Sequence, residues 1–225
     1  MKIQRKAFTA SSSILATNVV LRKTYLLLAA TLLFSTLTAT FSLLSGAPPL
    51  NPFIVLLGYF GLLFLVNMLR NNPVASVVAV FALTGFMGYT LGPILSGILR
   101  ILPNGEQIIA TALGGTATIF FTLSAYVLVT KKDFSYLGGF LMAAMTIAFL
   151  AGLGAMVFKI PMLSLIVSGA FALLSSGVIL FQTSAIIHGG ERNYIMATVT
   201  LYVALFNLFI SLLQILSIFS GNNRN

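Results

Sequence analysis

The 225-residue sequence has no cysteine, one histidine, three acidic residues and only 7% charged residues in total. Without cysteine there is no disulfide, no thiolate nucleophile and no Cys-based metal site. The single His188 cannot make the His-Glu-x-x-His pair of a zinc protease, and the single Asp133 cannot make the two-carboxylate centre of an intramembrane aspartyl protease. Ser176-Gly177 does not sit in a Gly-x-Ser-x-Gly elbow, and no Gly-x-x-x-x-Gly-Lys-Ser/Thr phosphate loop occurs. This inventory argues against an enzyme and calls for no cofactor and no metal.

What the sequence does have is apolar mass: 59% of its residues are hydrophobic and the mean hydropathy is +1.07. A soluble domain of this size needs more polar surface than that. Crossing a hydrocarbon core of about 30 Å takes roughly 20 apolar residues as a helix. Runs at 24–45, 52–69, 74–99, 108–130, 134–158, 161–187 and 194–219 meet or approach that length and use almost the whole chain. They are continuous rather than alternating, which excludes a β-barrel. The expected fold is an all-α membrane protein of seven transmembrane helices. Turns are marked by Ala47-Pro48-Pro49 with Asn51-Pro52, by Asn71-Asn72-Pro73, Pro103-Asn104-Gly105, Lys131-Lys132-Asp133, Lys159-Ile160-Pro161 and His188-Gly189-Gly190.

The domain plan expected is a basic, flexible tail over residues 1–23, a seven-helix domain over 24–219 and a short C-terminal tail over 220–225. The tail holds Lys2, Arg5, Lys6, Arg22 and Lys23 and a Ser/Thr-rich middle. A cleaved signal peptide is the competing reading, but the first apolar run is long for one, starts late and is followed by more spans. Net charge is +9. In a soluble chain that would suggest nucleic acid, but here the basic residues flank apolar runs and no nucleic-acid partner is expected. Nine of the twelve lie on the side of the N-terminus. The positive-inside rule then places the N-terminus in the cytoplasm and the C-terminus outside.

Small residues recur within the spans, at Gly85, Gly88, Gly92, Gly114, Gly115, Gly138, Gly139, Gly152 and Gly154. They let helix backbones approach where lipid supplies no drive for association, and packing within one bundle is preferred to a dimer interface. Gly92-Pro93 should break or kink the third span, because Pro lacks the donor for the i−4 bond. The most polar stretch near the membrane is 181–194, with Gln182, His188, Glu191 and Arg192. It reads as an ion path, a partner-binding loop, or an ordinary turn in which His188 caps carbonyls and Glu191 and Arg192 are solvated. In the seventh span Asn207 and Gln214, seven residues apart, share one face, with interhelical hydrogen bonding the favoured role and a permeation site the alternative. Thr198, Thr200, Tyr202 and Ser211 add polarity to the same helix.

Three motifs in order carry a family resemblance: Phe86-Met87-Gly88-Tyr89-Thr90-Leu91-Gly92-Pro93, Lys131-Lys132-Asp133-Phe134-Ser135, and the run 181–209 with His188-Gly189-Gly190-Glu191, Asn193-Tyr194 and Phe206-Asn207-Leu208-Phe209. From about residue 21 to the end, the chain resembles the Bax inhibitor-1 family, nearest its bacterial YccA branch. The resemblance implies a bundle whose last helix is surrounded by the other six. For that branch it implies an inner-membrane partner, substrate and negative modulator of the ATP-dependent protease FtsH. Many family members carry two Asp in the last two helices, a pH-sensitive dyad tied to calcium leak. The matching positions here are Gln182 and Ala204, so an ion-leak channel or transporter for calcium or protons is the disfavoured alternative.

Overall fold

The computed structural model describes residues 2–222, with side chains given for 18–221. Among the described residues the fold is entirely helical: α1 Lys2–Leu44, α2 Pro52–Met68, α3 Pro73–Ile101, α4 Gly105–Thr130, α5 Leu137–Phe158, α6 Pro161–Ile187 and α7 Tyr194–Asn222. Six are long and apolar enough to cross a membrane, the first of them over Asn18–Leu44. At 17 residues α2 is the shortest, rising about 25 Å.

Local chemistry fixes the helix ends. Pro52, Pro73 and Pro161 stand in the first turns of α2, α3 and α6, where a missing N–H costs nothing. Asn51 Oδ1 accepts from Phe53 N at 2.9 Å, Asn72 Oδ1 from Ala75 N at 3.2 Å and Asn193 Oδ1 from Ile195 N at 2.9 Å. Each side chain satisfies a donor left open at a helix start.

The expectation of an irregular N-terminal segment needs correction. No irregular tail precedes the first span: α1 is helical from Lys2. The stretch from there to Leu44 contains neither Gly nor Pro, so nothing in it stops a helix. At the other end, α7 runs to Asn222, three residues past the expected end of the span, and residues 223–225 lie outside the described residues. The helix-break motif of Gly88, Gly92 and Pro93 also fails to break α3, which continues through Pro93 to Ile101. One lost bond, to the Tyr89 carbonyl, is tolerated where the rest of the helix is held by its neighbours.

The tightest seam joins α1 to α3. A Cβ on Gly88 would collide with the Ser35 carbonyl and Thr38, and one on Gly92 would collide with Ser42. These glycines therefore set the interhelical distance. Gly114, Gly139 and Gly154 have nothing within 4 Å of a Cβ position, so they take no part in close packing. Helix α7 packs against α1, α3, α4 and α6, and its Leu201, Tyr202, Ala204, Leu205 and Leu208 enter the main core. By contrast, the main partner of α2 is α3 and that of α5 is α6.

Candidate functional site: the α6–α7 seam and the connector face

Polar residues on α6 and α7 repeat every seven residues. On α6 they are Ser168, Ser175 and Gln182, and on α7 Thr200, Asn207 and Gln214. Seven residues is about two helical turns, so each set forms one stripe. Ser168 Oγ donates to Gln214 Oε1 at 2.7 Å, and Gln214 Nε2 donates to Ser164 Oγ. With the helices antiparallel, this contact sets Ser175 level with Asn207 and Gln182 level with Thr200. Only the Gln214 layer is closed by hydrogen bonds. Ser175 Oγ and Gln182 Nε2 are buried without a partner.

Tyr202 and Thr198 use their hydroxyls to tie α7 to its neighbours. The Tyr202 hydroxyl donates to the Thr84 carbonyl at 3.2 Å and stands 2.6 Å from Ser35 Oγ, tying α7 to α3 and α1. Thr198 Oγ1 donates to the carbonyls of Thr24 at 3.2 Å and Tyr194 at 2.7 Å. Gln182 is 4% exposed and Ala204 1%, and neither dyad position offers a carboxylate to an ion.

An elongated groove lies between the α2–α3 and α5–α6 pairs, with α7 as its floor. It comprises two cavities of about 620 Å³ and 800 Å³ that share Val55, Leu56, Thr90, Phe149, Phe171 and Phe206 in their walls. Thr200 and Asn207 line the larger one. Across it the Phe60 ring of α2 meets the Phe149 ring of α5 edge to face at 5.4 Å.

At one end of the bundle three connectors are stapled together. His188 caps α6: Nδ1 lies 3.0 Å from the Ser184 carbonyl and Nε2 lies 3.1 Å from the Lys131 carbonyl. Gly189, at φ 73°, then turns the chain. Phe134 N donates to Ser184 Oγ at 2.9 Å, and Asn193 Nδ2 donates to the Arg70 carbonyl at 3.3 Å. Glu191 accepts from Asn193 N at 2.7 Å, and Arg192 Nε donates to the Gly189 carbonyl at 3.4 Å. The stretch 188–193 is thus a locally bonded turn. Asp133 accepts from Ser135 N at 2.8 Å, and the Ser135 hydroxyl, followed by that backbone N–H, holds its carboxyl below the usual range. Among the described residues no group of three His, Asp or Glu could hold a metal.

Of the residues singled out from sequence, the structure joins Gln214 to α6 and places His188, Glu191 and Arg192 together in the turn. It separates Asn207 from them, in the groove. Sequence reading missed Ser164, Ser168 and Ser184, the partners of Gln214 and of the 131–136 connector. The repeat 168, 175, 182 was visible, but serines are common in apolar helices and give no signal alone.

Residues 17–221 match the family described as inhibitor of apoptosis-promoting Bax1. The chain is 50% identical over 205 residues, 91% of its own length and 92% of the relative's, to the protein named modulator of FtsH protease YccA in Escherichia coli K12. It is 55% identical over 204 residues to a Pseudomonas aeruginosa protein, with 91% of each chain covered. A Vibrio cholerae membrane protein is 41% identical over 219 residues, with 96% of this chain and 98% of the relative covered. The span of the family match and the extent of these identities place the chain in the Bax inhibitor-1 family.

Proposed function

We propose that this protein is an inner-membrane modulator of an FtsH-type ATP-dependent protease, which it binds, serves as a substrate and restrains from attacking other membrane proteins. The single observation carrying the reading is the 50% identity, over nine-tenths of both chains, to a relative named for modulating that protease. A second relative with the same identity is named an inner membrane protein. In this reading all seven helices span the bilayer, α7 is the central one, the N-terminus is cytoplasmic and the C-terminus lies outside. The basic segment 1–23 is the end the protease grips. Nothing about Gln182 or Ala204 favours the ion-leak alternative, because neither ionises.

The test is copurification from native membranes with identification of the bound proteins. Recovery of the protease with this chain, and slower turnover of a second membrane substrate when the chain is overproduced, are the expected results. Clean isolation without the protease would overturn the reading. Removal of residues 2–12 should lengthen the chase half-life in cells that contain the protease; an unchanged half-life would remove the gripping role.

A further inference from the structure

We infer that the groove over α7 is an intramembrane docking site for a transmembrane helix of the protease, one bearing an uncharged polar side chain at mid-depth. This rests on the protease reading above and locates its contact.

Two polar groups on the groove side of α7 are left without a hydrogen bond. Among the described residues, Thr198, Tyr202, Gln214 and Ser217 of α7 all hydrogen-bond within the bundle. The Asn207 amide and the Thr200 hydroxyl, both on the groove wall, have no such bond. Ser175, level with Asn207, is fully buried with its hydroxyl unpartnered. Asn207 stands 13 residues from the start of α7 and 15 from its end, about 20 Å from either terminus. At that depth lipid headgroups do not reach and acyl chains offer neither donor nor acceptor. An unpaired amide in hydrocarbon is costly, and a polar side chain carried on another transmembrane helix would pair it at that depth.

The groove's shape and charge narrow the occupant further. Its α7 floor runs from Met196 to Ile210, about 21 Å along the helix axis, so it is elongated like a helix rather than rounded like a solute site. No Asp, Glu, Lys, Arg or His lines either cavity. A charged side chain would enter without a counter-charge, whereas Ser, Thr, Asn or Gln would match an amide and a hydroxyl. Phe60 of α2 and Phe149 of α5 meet edge to face across the mouth, so a docking helix enters by parting these two rings.

The absence of cysteine and the exposed Leu173 on α6 give a clean experiment in the full chain. A photocrosslinking residue is placed at Val203 in the groove or at Leu173, which is 77% exposed on the outer face. Membranes containing the tagged protease are irradiated and adducts are read by immunoblot for the protease. An adduct from Val203 and none from Leu173 is expected, falling at least threefold with Asn207→Leu and with the groove-filling Leu56→Trp, while Asn207→Gln retains it. Both variants line open space, and unchanged membrane yield and unfolding midpoint verify folding. If the protease copurifies but Val203 crosslinks only lipid, or if Asn207→Leu and Leu56→Trp leave the adduct unchanged, the docking site is wrong and the protease reading stands. If the protease is not recovered with the wild-type chain, both fall.

Discussion

Ser168 Oγ lies 2.7 Å from Gln214 Oε1 and joins α6 to α7 across 46 residues of sequence. Gln214 occupies the same α7 stripe as Asn207, yet of the two only Gln214 hydrogen-bonds to a side chain of the bundle. Gln214→Leu should therefore lower the unfolding midpoint in detergent, by about 1 kcal/mol in stability, the size of an interhelical hydrogen bond in a membrane protein. Asn207→Leu should leave the midpoint unchanged or raise it. Equal losses in the two variants would contradict this assignment.

Gly88 bears directly on the Ser35 carbonyl of α1, whereas Gly97 faces open space. Gly88→Val should force α1 from α3 and sharply reduce the folded protein recovered from membranes. Gly97→Ala should leave recovery intact or improve it, since Ala is the better helix former. Comparable recovery for both would show that α1 and α3 are not in close contact.

Tyr202 holds Ser35 and Thr84 at one point among α1, α3 and α7. Tyr202→Phe keeps the ring and removes the bonds, so a loss of about 1 kcal/mol is expected. A Ser35→Ala, Tyr202→Phe double variant should cost little more than the single one. Additive losses would mean that the two hydroxyls act independently.

The Ser135 hydrogen bonds lower the Asp133 carboxyl, so the ionised form favours the folded connector. The sign follows from linkage: the contribution is present above the ordinary carboxylate value and is lost as pH falls through the depressed one. Wild-type protein should be more stable than Asp133→Ala at neutral pH, with the difference shrinking below about pH 4. A difference that grows on acidification would reverse the assignment.

With Gln182 and Ala204 buried and unable to ionise, purified protein in vesicles should pass little calcium and show no steep pH step between about pH 5 and 8. Strong pH-gated calcium flux from the unmutated chain would reinstate the channel reading.

Much of the architecture was legible because membrane helices write their limits locally. The expected starts of α2, α3, α6 and α7 fall within a residue of Pro52, Pro73, Pro161 and Tyr194, where Pro or a capping Asn sits at the helix start. The first span was harder, since 2–23 has the polarity of a tail but no residue that ends a helix. Pro93 marks the converse limit: a missing donor predicts a break or a kink, and only the packed structure shows that α3 is not broken there.

The sequence by itself determined an all-helical membrane chain without cysteine and with Gln182 and Ala204 at the dyad positions, because hydrophobic run length and residue inventory need no knowledge of neighbours. Which polar residues are structural and which remain unpaired was decided only by the tertiary structure. Thr200, Asn207 and Gln214 are equivalent along one helix, but their surroundings come from α6, α2 and α5, distant in sequence. Antiparallel packing brings Ser164 and Ser168 to Gln214 and opens the groove beside Asn207. A helical period fixes direction around one axis; the partner found there depends on how six other helices pack.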